Sequence, residues 1–127
     1  MDAIRLPSLV LAYVGDAVFE LIIRSRMTAS NTKVKQLHRG TVAMVSAKAM
    51  AEYYRLLEPH LSVIETEVLH RGRNVKSRQI KSAGIGQYHR STGFEALVGY
   101  LFLSHQDERL EYLLNLLTSE RDESNSE

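Results

Sequence analysis

The sequence contains no cysteine and only two prolines among its 127 residues. The lack of cysteine excludes a disulfide framework, a thiolate zinc site and a cysteine nucleophile. The scarcity of proline, together with few alternating β-branched runs, predicts an all-α domain. At this length we expect one domain with a single hydrophobic core, covering residues 1–127,. Within it we expect an ordered part at about 8–119 and a mobile, acidic tail at 120–127,.

The chain also lacks an excess of one charge and a long apolar run. Lys and Arg number 16 and Asp and Glu number 15, so the net charge alone does not indicate nucleic acid. No stretch reaches the roughly 18 uncharged apolar residues of a membrane span, and the first residues, MDAIRLPS, lack a signal-peptide pattern,. We therefore expect a cytoplasmic protein. No phosphate-binding loop, nucleophile elbow or dinucleotide fingerprint is present, and the five histidines lack metal-ligand spacing,.

The most apolar stretch, residues 9–23, reads LVLAYVGDAVFELII and is hydrophobic on every side of a helix. Such a helix is one that the rest of a domain packs against. Gly15 and Asp16 are unexpected in its middle. Glycine costs about 0.5–1 kcal/mol relative to alanine in a helix interior, and a carboxylate facing a packed core is costly unless it is paired or holds a metal. This pair of unfavourable residues therefore needs an explanation.

Local signals predict the remaining helices. Ser8 is a possible N-cap for the first helix, which we expect to run to about residue 27, and Ser46 is a possible N-cap for a helix at 47–57,. Ser62 and Glu65 form a capping-box pattern that opens a helix ending near residue 71,. The other predicted helices cover about 33–45, 94–104 and 107–118. The predicted inward-facing residues are Val34, Leu37, Val42, Val45, Met50, Tyr53, Tyr54, Leu57, Leu110, Leu113, Leu114 and Leu117.

Two apolar helices far apart in the sequence each carry an acid, Asp16 in the first and Glu95 in the second. If these helices pack together, the two carboxylates meet and repel each other unless a cation lies between them. Oxygen ligands on rigid elements suit Mg²⁺ or Mn²⁺. A site of this kind activates water and stabilises charge on a phosphate during its transfer. Gly15 and Gly99 would allow a close approach of the two helices if they face each other.

Each of these acids also has a purely structural interpretation. Glu95 lies three residues after Thr92, which is the spacing of a capping box,. Asp16 could be a buried acid bonded to an arginine or to the start of another helix. Glu20, one turn after Asp16, could be a further ligand, but we favour a solvent-facing position for it.

The segment 69–90, LHRGRNVKSRQIKSAGIGQYHR, contains no acidic residue. We expect a long loop at about 72–87, because the helical period disappears there, and long loops in compact domains are usually functional or disordered. Its basic and amide side chains suit phosphate and sugar contacts with nucleic acid. The candidate RNA-binding residues are Arg71, Arg73, Asn74, Lys76, Arg78, Lys81 and Arg90. A solvated basic loop without a ligand is the alternative, and for His89 a phosphate contact or a surface position is favoured over acid–base catalysis.

Residues 13–21, YVGDAVFEL, resemble the signature helix of ribonuclease III catalytic domains, and residues 94–99, FEALVG, resemble the second acidic motif of that family. Val45-Ser46 and residues 69–74, LHRGRN, resemble in particular the Mini-III branch, which consists of the nuclease domain without an appended double-stranded-RNA-binding domain. The resemblance extends from about residue 9 to residue 117.

The resemblance implies a helical homodimer whose paired active sites cut both strands of duplex RNA with Mg²⁺, leaving 5′-phosphate and 3′-hydroxyl ends. Asp16 and Glu95 match two of the four metal-site acids of the family, and the other two positions are occupied here by Ala12 and Thr92. The resemblance further implies maturation of the ends of precursor large-subunit (23S) ribosomal RNA, with a ribosomal protein as a possible partner. The alternatives are a catalytically weak or inactive module that binds duplex RNA or the ribosome, and a purely structural helical dimer.

Overall fold

The computed structural model describes residues 1–75 and 84–125, with side chains described as far as residue 118. Helices are the regular elements of these ranges, which contain no strand, so the predicted all-α class is confirmed. Two short 3₁₀ turns, Ala3–Arg5 and Glu58–His60, accompany the α-helices. The α-helices are α1 (Ser8–Met27), α2 (Val34–Met44), α3 (Ala47–Leu57), α4 (Val63–Arg73), α5 (Ile85–Leu103) and α6 (Asp107–Asn125). None of the helices in the described ranges has both the length and the apolar character of a membrane span.

Local capping signals set the starts of α3 and α4. The Ser46 hydroxyl accepts a hydrogen bond from the Ala49 amide at 3.1 Å. At α4, the Glu65 amide donates to the Ser62 hydroxyl at 3.2 Å, and the Ser62 amide donates to the Glu65 carboxylate at 2.9 Å. Both predicted caps are confirmed, because each depends only on residues within one turn of the helix start. At α1 the cap position is Pro7 rather than Ser8, which is the first helical residue.

The central helix of the domain is α5, which contacts α1, α3, α4 and α6. The rings of Phe19, Tyr53 and Phe94 meet at centroid distances of 5.0–5.7 Å and form the aromatic centre of the core. All the predicted inward residues of α3 and α6 are buried. The prediction that the rest of the domain packs around the first helix was wrong, because α5 has this role and α1 is covered on one side only.

The uncovered side of α1 is apolar. We call it the α1 apolar face, and it comprises Leu9, Val10, Tyr13, Ala17 and Leu21. Tyr13 is 81% exposed and Leu21 is 66% exposed. Hydrophobicity on every side of this helix therefore does not reflect burial within one chain.

Helix α2 packs through only part of the face that was predicted, because Leu37 and Val45 are half-buried whereas the other two predicted residues are exposed. Val34 is 77% exposed and Val42 is 52% exposed, whereas Thr41 is buried. Gly40 and Thr41 lie against Met27 at the end of α1, with the Thr41 hydroxyl 3.5 Å from the Met27 sulfur. A short helix attached at the edge of the domain buries a narrow contact, so two of its apolar residues face outward.

Helix α5 begins earlier than predicted, at Ile85 rather than Phe94. The Thr92 hydroxyl lies within the helix and donates to the Tyr88 carbonyl at 2.9 Å. Thr92 and Glu95 therefore do not form a capping box, and the structural interpretation of Glu95 was wrong. The predicted loop at 72–87 is also shorter at both ends, because α4 continues to Arg73, and the remaining part, 76–83, lies outside the described residues.

A buried ion pair connects the start of α4 to α6. Glu65, which is 4% exposed, accepts two hydrogen bonds of 2.9 Å from the Arg109 guanidinium. Arg109 also donates to the His60 carbonyl at 3.0 Å. The Arg109 hydrogen bond lowers the pKa of the Glu65 carboxyl. Helix α6 continues to Asn125, beyond the predicted end near residue 118.

Helices α1 and α5 cross with their backbones in contact. A Cβ atom added at Gly15 would lie 1.7 Å from the Glu95 carbonyl oxygen, and one added at Gly99 would lie 1.9 Å from the Leu11 carbonyl oxygen. Since real Cβ atoms do not approach so closely, only glycine fits at these two positions. The close approach that the sequence suggested for Gly15 and Gly99 is present.

We expect Gly15→Ala and Gly99→Ala each to destabilise the domain by about 3 kcal/mol or more, the upper end of ordinary overpacking, because the obstacle is backbone. Urea unfolding measures this. Gly86→Ala is the matched control in α5, since its added Cβ would meet only the end of the Arg90 side chain, at 3.3 Å. Equal stability of Gly15→Ala and Gly86→Ala would contradict the crossing described here.

Candidate active site: a carboxylate pair at a helix crossing

The crossing of α1 and α5 brings Asp16 and Glu95 together. Asp16 follows Gly15, whose α-carbon lies against the Glu95 backbone. The Asp16 carboxyl lies near enough to the Glu95 carboxyl to raise the pKa of Glu95. The structure therefore unites the two acids that the sequence placed on separate helices.

The two carboxyl groups differ in their surroundings. Glu95 is half-buried beneath the crossing, whereas Asp16 is exposed. The sequence interpretation placed Asp16 in a packed interior, and this was wrong, because Asp16 lies at the edge of the open side of α1. One carboxyl group is thus accessible to a large ligand and the other is sheltered from water.

Close contact and burial change the acidity of the pair. Burial of Glu95, together with the hydrogen bond and the charge of Asp16, raises the pKa of the Glu95 carboxyl from 4.5 to about 8. Two adjacent carboxylates can be relieved of their repulsion by a proton or by a cation. In the protein without a metal ion, a proton on Glu95 therefore provides this relief near neutral pH.

The donor set fits a hard divalent cation with an incomplete protein shell. The described residues contain no group of three or more His, Cys, Asp or Glu side chains that could hold a metal ion. The buried residues Ala12 and Thr92 lie one turn before Asp16 and Glu95 respectively, and the Thr92 hydroxyl is engaged by the Tyr88 carbonyl. Two oxygen ligands suit Mg²⁺, which usually keeps several waters and binds through one or two carboxylates and substrate phosphates.

Glu20 does not join the pair. Its carboxylate lies 3.5 Å from the Arg24 guanidinium one turn further along α1, and both side chains are partly exposed. The solvent-facing position favoured from the sequence agrees with this contact.

The candidate RNA-binding residues occupy different environments. Arg71 donates two hydrogen bonds of 3.0 Å, to the Ile4 and Leu6 carbonyls, and so holds the N-terminal segment against α4. Arg73 donates to the Tyr54 hydroxyl at 2.8 Å and to the Asn74 side chain at 3.3 Å.

The other candidates divide between exposed positions and the part outside the described residues. Asn74 and Arg90 are exposed. Lys76, Arg78 and Lys81 lie outside the described residues. His89 packs edge-on against Tyr88, and its buried Nδ1 has no hydrogen-bond partner among the described residues.

Sequence reasoning missed Tyr54 as a polar residue of this region. It is buried, as predicted, but its hydroxyl accepts from Arg73 and lies 3.4 Å from the Glu58 carboxylate. The helical period identified only the inward direction of the ring, since a hydroxyl partner on another helix leaves no signal in the local sequence.

The fold and the carboxylate pair together define an all-helical domain with an acidic site at a helix crossing.

Comparison with known proteins identifies related chains over nearly the whole length. Residues 9–106 match the Ribonuclease III domain. A protein named Mini-ribonuclease 3 from Clostridium tetani is 41% identical over 126 residues, covering 97% of this chain and 83% of that protein. Another Mini-ribonuclease 3, from Enterococcus faecalis, is 43% identical over 128 residues, covering 98% and 97% respectively.

The fold is also found in a crystal structure of a protein from Fusobacterium nucleatum. That structure superposes with a TM-score of 0.81 at 24% identity, covering 92% of this chain and 95% of the other. At this identity the likeness supports the fold alone. From the domain match and the curated relatives, the chain belongs to the Mini-ribonuclease 3 branch of the ribonuclease III family.

The raised pKa of Glu95 predicts a pH-dependent stability in the presence of a chelator. Because the folded-state pKa lies above the ordinary value, this stabilisation is complete below about pH 4.5 and is lost as the pH rises through about 8,. Between about pH 6 and about pH 9, the midpoint temperature of thermal unfolding should fall more in the wild type than in Glu95→Gln. Identical pH dependence in the two proteins would contradict the coupling.

Proposed function

We propose that the protein is a Mg²⁺-dependent endoribonuclease that cleaves double-stranded RNA. The observation that carries the proposal is the contact between Asp16 and Glu95 at the glycine crossing, in a chain of the ribonuclease III family. Mn²⁺ is a possible substitute, since both ions accept oxygen ligands.

Asp16 and Glu95 would hold the ion, and the two side chains differ in their exposure to solvent. A divalent ion bound there supplies an activated water and stabilises charge on the phosphate. Exposed Asp16 faces the side from which a duplex can approach, while Glu95 is half-buried at the crossing. The family relationship supports products that carry a 5′-phosphate and a 3′-hydroxyl.

Binding of the duplex would depend on its shape and its backbone. Double-stranded RNA is recognised mainly through phosphates and 2′-hydroxyls, so little sequence preference is expected from the basic side chains alone. Within this activity, the family relationship supports maturation of precursor 23S ribosomal RNA ends in the cytoplasm, with a ribosomal protein as a possible partner.

We also propose that a second copy of the chain covers the α1 apolar face. This face continues beside Phe102 of α5 into a groove of about 590 Å³ that is lined largely by apolar side chains of α1, α5 and α6. Asp16 lies at the edge of the same face, so a twofold dimer there places two carboxylate pairs in one assembly. Two pairs would provide one cleavage site for each strand.

A duplex-RNA-binding or ribosome-binding module without catalysis is the second candidate. It is favoured by Ala12 and Thr92, which reduce the side-chain carboxylates at the crossing to two. Cleavage of duplex RNA by the purified protein, measured with and without Mg²⁺, separates the two candidates, since the module binds duplex without cutting it.

We expect Asp16→Asn and Glu95→Gln each to reduce cleavage by more than about 100-fold with little change in duplex affinity. Loss of a direct ligand should exceed the roughly 10–100-fold cost of losing an outer partner. Single-turnover cleavage and binding without divalent ions give the two quantities. Glu67→Gln, an exposed acid on α4, is the control. Retained cleavage in Asp16→Asn would reject the assigned role.

We expect Leu21→Glu to convert a dimer into a monomer, because the change places a charge within the α1 apolar face. Analytical ultracentrifugation measures the mass of each protein. Val63→Glu is the matched control, since Val63 is 86% exposed at the start of α4. A monomeric wild type, or a dimer that tolerates Leu21→Glu, would show that the α1 apolar face is not the interface.

A further inference from the structure

A cavity of about 780 Å³ opens between α3, the end of α4 and the first turns of α5. Its volume lies within the range of small-molecule and cofactor sites. The charged side chains that line it are Lys48, Glu52, Arg55, Glu58, Arg73 and Arg90. We call it the α3–α5 pocket.

Both carboxylates of the α3–α5 pocket already have partners. Glu52 pairs with Arg55, whose Nε lies 3.1 Å from the carboxylate. Glu58 lies 2.6 Å from the His70 Nε2. Lys48, Arg73 and Arg90 make no ion pair with any residue in the described part of the chain. The pocket therefore presents uncompensated positive charge.

Tyr54 holds Arg73 in position without neutralising it. The Tyr54 hydroxyl accepts from Arg73 at 2.8 Å, and the guanidinium carbon lies 6.0 Å from the ring centroid. Burial and the neighbouring Glu58 carboxylate raise the pKa of Tyr54. The hydroxyl therefore stays protonated at neutral pH, so that Arg73 keeps its charge and several N–H donors for another acceptor.

The α3–α5 pocket and the carboxylate pair lie on different sides of α5. Arg90 precedes Glu95 by five positions, which corresponds to about 140° around a helix,. The Tyr54 ring packs near Gly93, on the side of α5 that faces α3 and α4, whereas the Glu95 backbone meets Gly15 of α1. A ligand bound in the α3–α5 pocket is therefore separate from a ligand bound by Asp16 and Glu95.

We propose that the α3–α5 pocket binds a phosphate group of the RNA backbone remote from the scissile bond, with Tyr54 as the positioning residue for Arg73. Ammonium and guanidinium groups on a concave surface are the partners that nucleic-acid phosphates select. The proposal rests on the proposed function for its ligand. A free nucleotide carries the same phosphate chemistry, and the experiment below distinguishes the two sources.

The test measures binding of a short RNA duplex in chelator over a series of salt concentrations. Lys48→Gln and Arg90→Gln should each weaken binding by about 10-fold and reduce the slope of log affinity against log salt by about 1, the effect of one lost phosphate contact. Lys35→Gln, an exposed lysine at the opposite end of α2 from the pocket, should leave both unchanged. Unchanged slopes in both pocket variants would overturn the proposal.

A double-mutant cycle tests the role of Tyr54. Tyr54→Phe keeps the ring and removes the hydroxyl, and we expect it to weaken duplex binding several-fold in the wild type. In an Arg73→Gln background the same change should have no further effect, because the group that it positions is gone. Equal effects in both backgrounds would mean that Tyr54 acts independently of Arg73.

Adenosine 5′-monophosphate and inorganic phosphate identify the source of the phosphate. If the α3–α5 pocket binds the RNA backbone, either compound at millimolar concentration should compete only weakly with the duplex. Tight binding of the mononucleotide that is sensitive to Lys48→Gln, with duplex affinity unaffected, would overturn backbone binding. Cleavage by the wild type is measured in parallel. Cleavage with unchanged salt slopes rejects the pocket alone, whereas altered slopes without cleavage support the pocket and reject the nuclease.

Discussion

The contact of two backbones at Gly15 and Gly99 determines the site. A side chain at either position would push α1 away from α5 by the width of a methyl group, and the Asp16 and Glu95 carboxyls would separate. Glycine in a helix interior costs about 0.5–1 kcal/mol relative to alanine. The domain carries this cost at Gly15 and Gly99, and the close approach of the helices places the Asp16 and Glu95 carboxyls where their negative charges repel each other. The packing of the core and the chemistry of the site therefore depend on the same interaction.

The electrostatics of the pair follow from this geometry. Burial at the crossing favours the neutral form of Glu95, and the adjacent Asp16 carboxyl strengthens the effect. A divalent cation removes the repulsion more effectively than one proton, since it compensates both charges. In the proposed metal site, two carboxylates would leave much of the coordination shell to water and to substrate phosphates. Binding of the ion and binding of RNA would then support each other.

The sequence predicted those features that depend on neighbouring residues or on an explicit pairing of signals. The Ser46 cap, the Ser62–Glu65 box and the inward faces of α3 and α6 were predictable because the helical period and the first turn determine them. The meeting of Asp16 and Glu95 was predictable because each acid accompanies a glycine on an apolar helix. The family resemblance supplied the activity, which local patterns do not contain.

Other features depend on contacts between distant segments and were not predictable. Thr92 and Glu95 have the spacing of a capping box, yet α5 starts at Ile85, so both residues lie inside the helix. The glycines and basic residues that precede Thr92 do not interrupt this helix. Asp16 was expected in a core, since one sequence does not distinguish an apolar face that is buried within the chain from one that the chain leaves uncovered. The Arg71 contacts with Ile4 and Leu6 join segments far apart in the sequence, so no local pattern indicates them.

The most direct test of the account is anomalous diffraction from crystals of the wild-type protein grown with Mn²⁺ and a non-cleavable RNA duplex. A manganese peak is expected in direct contact with one carboxylate oxygen of Asp16, one of Glu95 and one backbone phosphate oxygen, with water in the remaining positions. A peak bound elsewhere, or no peak beside an ordered duplex, would contradict the claim that these two acids hold the ion.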